Sequence, residues 1–364
     1  MNEAMTTLKP ANQNQWYVLL TLYGEVVRLD LGLNAMNRNV WNAWACQGMG
    51  EQQKQQLSLQ GFNFPRKTLW QDEGDSIQAL HRAEMVRRNP VGFEYPGFPE
   101  PSTHIDMSRL DFDHDIFTDL LLFRAESTSF MESRFRNVLL QGAQFMGSVW
   151  FQSAVFEGKA RFIQARFSSN YSFYNVEFKN IASFSAASFT DYGDFHHTTF
   201  GKRVYFEKSS FDRYAMFDSA VFEGTASFEG AKFSAPEVRF KNCHFRMPCV
   251  FEKAAFSSYP DFSGAILHER TSFTADNELW PTGKPDTDHI WESRASCAVI
   301  RHNLGKQGLP EAEHFFYRRE MEFSGHIGGF LQRLPYRLFG VLSDYGHSIE
   351  GPCFGYWGSG YLPE

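Results

Sequence analysis

Phenylalanine recurs through the middle of this chain at steps that alternate between six and five residues. The series runs Phe145, Phe151, Phe156, Phe162, Phe167, Phe173, Phe178, Phe184, Phe189, Phe195, Phe200, Phe206, Phe211, Phe217, Phe222, Phe228 and Phe233. After one seven-residue step it resumes at Phe240, Phe245, Phe251, Phe256 and Phe262, then Leu267 and Phe273. Of the 38 phenylalanines, 28 lie between 112 and 273, so the aromatic excess belongs to this segment and not to the whole chain. Two positions before most of them stands a small residue, as in Ala154, Ala160, Ala165, Ala182, Ala187, Gly193, Ser209, Ala215, Ala220, Ala226, Ala231 and Ala254. A large and a small residue recurring together demand a repeated local structure.

Two successive steps sum to eleven residues, which is also three turns of helix, so a right-handed coiled coil has to be weighed. At about 100° per residue a five-residue step rotates the side chain by about 140°, giving two aromatic stripes where a coiled coil needs one seam. The Ser, Gly, Phe and Val content also disfavours helix. In an extended chain, residues two apart face the same side, so each small residue and its following phenylalanine point inward together. Five residues later the parity has flipped. The next phenylalanine faces inward only if the chain turns a corner at every step, which makes a solenoid of square cross-section.

The runs AVFEGKARFIQARF, NVEFKNIASFSAASF and SAVFEGTASFEGAKF resemble the phenylalanine-centred pentapeptide-repeat proteins over about residues 105 to 275. The resemblance implies a mainly β fold, a right-handed quadrilateral β-helix with four units per coil. The alternating sixth residue departs from the family pattern and reads as a bulged corner, giving about 22 residues per coil. Six coils are expected between 145 and 273, with looser units at Phe112, Phe117, Phe123, Phe130, Phe135 and Leu140 adding one or two. At about 4.8 Å per coil the rod is on the order of 35 Å long.

A solenoid leaves backbone edges and apolar surface at both ends, so α-helical capping segments are expected there. Residues 1–104 form an N-terminal, mainly helical capping region: WYVLLTLYGEVV reads as a strand, and NAMNRNVWNAWACQG, EQQKQQLSLQ and DSIQALHRAEMVRRN as helices. The β-helix occupies 105–275, a C-terminal helical region 276–345, and a flexible tail 346–364. Within the C-terminal region PTGKPDTD is a turn-rich linker whose Asp or Thr caps the next helix. HIWESRASCAVIRHNLGKQG and PEAEHFFYRREMEFSG form a helical hairpin closed by Gly305 and Gly308. GGFLQRLPYRLFGVLSDYG then places Phe330, Leu334, Leu338, Val341 and Leu342 on one side. Packing of that side against the coil end is favoured over a membrane-surface role, for which Arg333 and Arg337 are the candidate membrane or partner contacts. The arrangement also resembles the tail that leads into transmembrane helices in some pentapeptide-repeat proteins; the sequence departs by stopping after GPCFGYWGSGYLPE, so a membrane part is either absent or lies beyond Glu364.

Net charge is -7, and between 145 and 273 there are 13 acidic and 14 basic residues. The rod is thus near neutral, which argues against nucleic acid as a direct partner and against the negative surface of the DNA-like, topoisomerase-binding members of the family. The five cysteines, Cys46, Cys243, Cys249, Cys297 and Cys353, show no CxxC spacing. With no secretory leader and no run of 18 apolar residues, a cytoplasmic location is expected, with peripheral attachment at the inner face of a membrane as its extension.

Residues with possible chemistry read as structural. Asp111, Asp113 and Asp115 alternate like calcium-loop ligands but lack the glycine and glutamate such a loop needs. His196 and His197 fall at outward or corner positions and read as solvated. Cys243 and Cys249 stand in the small inward column and read as buried and inert. No catalytic residue, cofactor site or metal site is assigned, and no enzyme motif occurs. The leading reading is a non-catalytic protein–protein interaction scaffold with an unidentified protein partner. The soluble part of a membrane-associated assembly is the alternative, and a DNA-mimic topoisomerase inhibitor ranks below both. The pattern carries no signal for the oligomeric state.

Overall fold

In the computed structural model, which describes residues 7–25, 30–59, 62, 64–65, 69–281 and 289–346, the aromatic register winds into a four-sided parallel β-solenoid. Its walls are two eight-stranded and two seven-stranded sheets, so the rod has about eight turns. Phe156 lies in register with Phe178, and Phe178 with Phe200, so one coil is 22 residues. The four columns of phenylalanine fill the interior. Along one column Phe173, Phe195 and Phe217 stack at 4.9 Å with their planes nearly parallel. Rings from opposite walls meet edge to face in the centre, as Phe195 and Phe206 do at 5.5 Å and 90°. Offset-parallel and edge-to-face contacts are both favourable arrangements of the ring quadrupole, so the square section satisfies every ring along two directions.

Two kinds of corner alternate. Within each five-residue step the chain makes a tight turn, as between Phe151 and Phe156, where the Ala154 N–H donates to the Phe151 carbonyl with Ser153 at φ +56°. A positive φ in third position is the pattern of a type II turn. The same left-handed position recurs at Gln164, Asn175, Ala186, His197, Lys208 and Ser219, every eleven residues. The additional residue of the six-residue step lies at the other corners, where the backbone bonds to the coil before it: the Gly158 N–H donates to the Arg136 carbonyl at 2.6 Å. A Cβ on Gly158 would collide with that carbonyl, so glycine permits the approach there. The seven-residue step from Phe233 to Phe240 is absorbed at such a corner, beside Pro236. Across it the register lengthens by one residue, Ala215 pairing with Val238, while the stack of Phe217 on Phe240 continues at 4.9 Å.

The first coil departs from the expected register. Ile116 and Thr118 point inward, and Phe117 between them is only half-buried, so the Phe117 unit is out of phase by one residue.

Helices cover the amino-terminal end. The run expected to form a strand at WYVLLTLY is instead helix α1 (Gln15–Leu20). Asn14 caps it, its Oδ1 accepting from the Trp16 and Tyr17 amides, and residues 16–20 are buried all round, so tertiary burial and a cap override β propensity. Helices α2 (Leu31–Ala45), α3 (Glu51–Leu59) and α4 (Leu69–Arg88) follow. From α2, the Asn42 side chain imitates a strand: its amide donates to the Leu120 carbonyl and its oxygen accepts from the Leu122 amide, each at 2.9 Å. Beside it the Trp41 indole donates to the Leu122 carbonyl and its ring packs on Phe123. Edge backbone that would otherwise be left unpaired is satisfied by side chains.

The carboxyl-terminal end uses the same device. Helices α5 (Ile290–Lys306) and α6 (Pro310–Ser324) form a hairpin, with Gly305 inside α5 and Gly308 at φ +69° in the turn. Ser296 accepts from the Phe262 amide, Asn303 donates to the His268 carbonyl, and Gln307 donates to the Thr271 carbonyl. Trp280 continues one aromatic column beyond Phe256 and meets Phe316 of α6 edge-on at 4.9 Å. The expected linker cap near 287 and the tail from 347 onward lie outside the described residues.

Candidate functional site

Every inward phenylalanine of the series from Phe145 to Phe262 is buried, at 4% exposure or less. What the rod offers to another molecule is therefore its outward polar rows. Some of their charges pair between neighbouring coils: Lys179 bonds Glu157 at 3.0 Å, Arg213 pairs with Asp191 at 3.2 Å and Arg246 with Glu223 at 3.1 Å. The three aspartates of the first coil take separate partners: Asp111 pairs with Arg134, Asp113 with His114, and Asp115 accepts from Asn137. Unlike charges facing each other across a ladder cancel locally where such pairs form.

One network is denser than the rest. His196, expected to be solvated, is half-buried between two carboxylates: its Nδ1 lies 2.5 Å from Asp194 and its Nε2 3.6 Å from Asp218 on the next coil. Arg239, a further coil along, pairs with Asp218 and reaches Glu237 at 3.4 Å. Hydrogen bonding to Asp194 and then Asp218 raises the His196 imidazole to about 9, against the opposing effect of burial. Burial alone would raise the Asp218 carboxyl, but His196 and Arg239 outweigh it and hold the group below its usual range. At neutral pH the ring is an imidazolium without a free lone pair. It ties three coils together, and it is placed to act neither as a base nor as a ligand. His197 is a corner residue at φ +57° whose ring meets Tyr174 edge-on.

The thiols lie where nucleophilic chemistry is suppressed. Cys243 and Cys249 are fully buried in the small column, with burial pushing both thiols well up, and Cys243 donates to the Phe217 carbonyl at 2.9 Å. Cys46, beside a cavity of about 890 Å³ lined also by Phe64 and Trp70, is pushed up to about 11 by burial. A thiol raised that far is almost entirely protonated near neutral pH.

The remaining feature is helix α7 (Phe330–Ser343), in which no residue is buried. The expectation that its apolar side packs on the coil end is not met. It packs on α6 through its other side: Tyr336 lies against Gly325, and Arg337 reaches the Gly325 carbonyl at 3.4 Å. Phe330 is 72% exposed, Leu331 80% and Val341 70%, with Leu334, Leu338, Phe339 and Leu342 exposed as well. The helix is inside out relative to a core-facing helix. Among the described residues no helix is long and apolar enough to cross a membrane.

Residues 140–188 and, overlapping them, 151–199 match the model of the family described as pentapeptide repeats (9 copies). The rod is a pentapeptide-repeat solenoid. Among solved structures it is similar to HetL, a pentapeptide repeat protein involved in heterocyst differentiation regulation from the cyanobacterium Nostoc sp. strain PCC 7120. Identity is 14%, the match covers 51% of this chain and 92% of that one, and the TM-score is 0.19. No curated protein matches the chain in sequence.

Within the pentapeptide-repeat solenoid, sequence reasoning placed the inward columns and missed the His196 network. That network joins residues 194, 196, 218 and 239. A pattern search at the repeat period of 22 reaches Asp218 from His196, but the one-residue register change takes Arg239 off that period. Of the sequence-derived contacts, Arg333 is half-buried and Arg337 exposed, both on the flank of α7.

Proposed function

We propose that this protein is a non-catalytic interaction scaffold in which the pentapeptide-repeat rod is a stiff spacer and recognition resides in its ends and outward rows. The observation that carries this reading is the use of the interior. Four stacked aromatic columns fill it, Cys243 and Cys249 are buried within it, and in the outward rows His196 is held in an ionic staple. No cofactor enters the reading. Solenoids of this kind present extended surfaces because each coil contacts only its neighbours.

Affinity isolation with the full chain as bait from its native cells, followed by mass spectrometry, tests it. Because Trp41, Asn42, Ser296 and Gln307 complete the rod's edges, the control is a full-length chain with outward substitutions and not an excised rod. A protein retained by the wild type and lost from the substituted chain supports the scaffold reading. Recovery of nothing beyond the background of a tag-only bait removes its main support.

A second reading, the soluble part of a membrane-associated assembly, is favoured by one observation, the uncovered apolar side of α7. Topoisomerase inhibition by DNA mimicry ranks last, since 13 acidic residues between 145 and 273 are balanced by 14 basic ones, which leaves little negative field. Unchanged gyrase supercoiling at high micromolar protein would dispose of it.

A further inference from the structure

We infer that α7 lies in the plane of an anionic lipid surface, apolar side down, and holds the solenoid against it. The inference deepens the membrane-associated reading and rests on it.

Three observations select lipid over other occupants. The first is the width of the apolar arc. At about 100° per residue, Phe330, Leu331, Leu334, Leu338, Val341 and Leu342 span about 120°, and Phe339 extends the arc to about 180°. A helix held in a protein groove presents a narrower stripe of i, i+3, i+4 and i+7 anchors, whereas a half-cylinder suits a flat, deformable apolar medium. The second is length. Fourteen residues make a helix about 21 Å long, short of the roughly 30 Å of a bilayer's hydrocarbon core, so the helix lies in the interface and does not cross it.

The third is charge. Phe330–Ser343 contains Arg333 and Arg337 and no acidic residue. Arg337 falls at the edge of the apolar arc, about 20° from Phe330, from which a long side chain reaches the headgroup level, whereas Arg333 lies about 60° beyond that edge on the half-buried side facing α6. Among the described residues neither has a carboxylate within ion-pair distance. The Arg337 guanidinium, at the edge of an apolar half-cylinder, matches anionic headgroups. Trp291 adds to this. It is 61% exposed at the start of α5, one turn from Arg294, whose bond to Ser324 places it at the same end of the hairpin from which α7 departs. Exposed tryptophan is enriched at the membrane–water interface.

The test is co-sedimentation of the full chain with unilamellar vesicles of phosphatidylcholine alone and of an equimolar mixture with phosphatidylglycerol. Binding to the mixed vesicles is expected to exceed binding to the neutral ones and to fall as salt is raised. Leu331→Glu with Leu338→Glu is expected to abolish it, and because both side chains are exposed the thermal midpoint should stay that of the wild type. Arg337→Gln should weaken binding to the mixed vesicles about fivefold, and Arg333→Gln, on the side facing α6, should weaken it less. Failure to bind either vesicle, or unchanged binding by the double glutamate variant, overturns the inference. So does a wild-type dimer in light scattering that the double variant converts to monomer, which would assign the face to a second copy. None of these outcomes bears on the affinity isolation, so the scaffold reading stands or falls separately.

Discussion

The hydroxyl of Tyr171 occupies the space into which a Cβ at residue 193 would project, and residue 193 is glycine. The two are register partners on successive coils, two positions before Phe173 and Phe195, where the repeat usually places a small residue. Tyr171 is a large side chain in a small-residue position, wholly buried, and Gly193 is the void one coil on that admits it. The glycine keeps the small residue of the repeat and the tyrosine departs from it, and the void at the one offsets the bulk of the other.

Gly193→Ala is therefore expected to destabilise the rod by about 3 kcal/mol, because the added Cβ would overlap the wholly buried ring of Tyr171. Tyr171→Ala with Gly193→Ala recreates the alanine pair seen at Ala160 and Ala182, and the double variant should recover at least about 1 kcal/mol relative to the sum of the single losses. Urea denaturation of the four proteins measures this. Additive losses would show that the ring does not fill the space beside residue 193.

The Tyr171 hydroxyl has no hydrogen-bond partner among the described residues. Removing it in Tyr171→Phe takes away a buried group that is desolvated without compensation, so the variant should match the wild type or exceed it by up to about 1 kcal/mol. A loss of more than that amount would mean the hydroxyl is satisfied.

Phe184 is fully buried, stacked on Phe162 and Phe206 and edge-on to Phe173 and Phe195. Phe184→Ala should cost about 3–5 kcal/mol, read as a lower denaturation midpoint at unchanged slope. A midpoint equal to that of the wild type would take this ring out of the core.

The His196 network carries a pH signature of definite sign. The folded-state value, raised to about 9 from 6.5, means the imidazolium is favoured by folding. Its stabilisation is complete below about pH 6.5 and is lost as pH rises through 9. Wild-type stability should accordingly decline between those values, and His196→Gln should flatten the decline. A variant profile parallel to that of the wild type through this window would show the histidine uncoupled from Asp194 and Asp218.

Ala186 sits at φ +55°, a conformation that costs a residue with a Cβ about 1–2 kcal/mol. Glycine occupies the equivalent corners at Gly142, Gly230 and Gly264. Ala186→Gly should thus raise the stability by about 0.5–1 kcal/mol, relief of strain exceeding the additional chain entropy. A lowered thermal midpoint would mean the turn carries little strain.

The rod was legible because its stabilising contacts repeat at one sequence separation. A phenylalanine stacks on another 22 residues away, that neighbour does the same, and so the period, the inward parity and the corner at each step are all printed in the chain. The seven-residue step after Phe233 was visible for the same reason, and the rod absorbs it at a corner without breaking a column. Phe117 misled because a single residue of phase, invisible in composition, turned Ile116 and Thr118 inward in its place.

The ends were a different problem. WYVLLTLY has the composition of a strand, and what makes it helical is the Asn14 cap together with burial on every side by elements far away in sequence. The pairings of Asn42 with Leu120 and of Ser296 with Phe262 occur once each, with no period to betray them. For α7 the sequence determined that an amphipathic helix would form. Which side faces the protein was decided by its contact with α6, since a hydrophobic pattern records where an apolar face is and not what covers it.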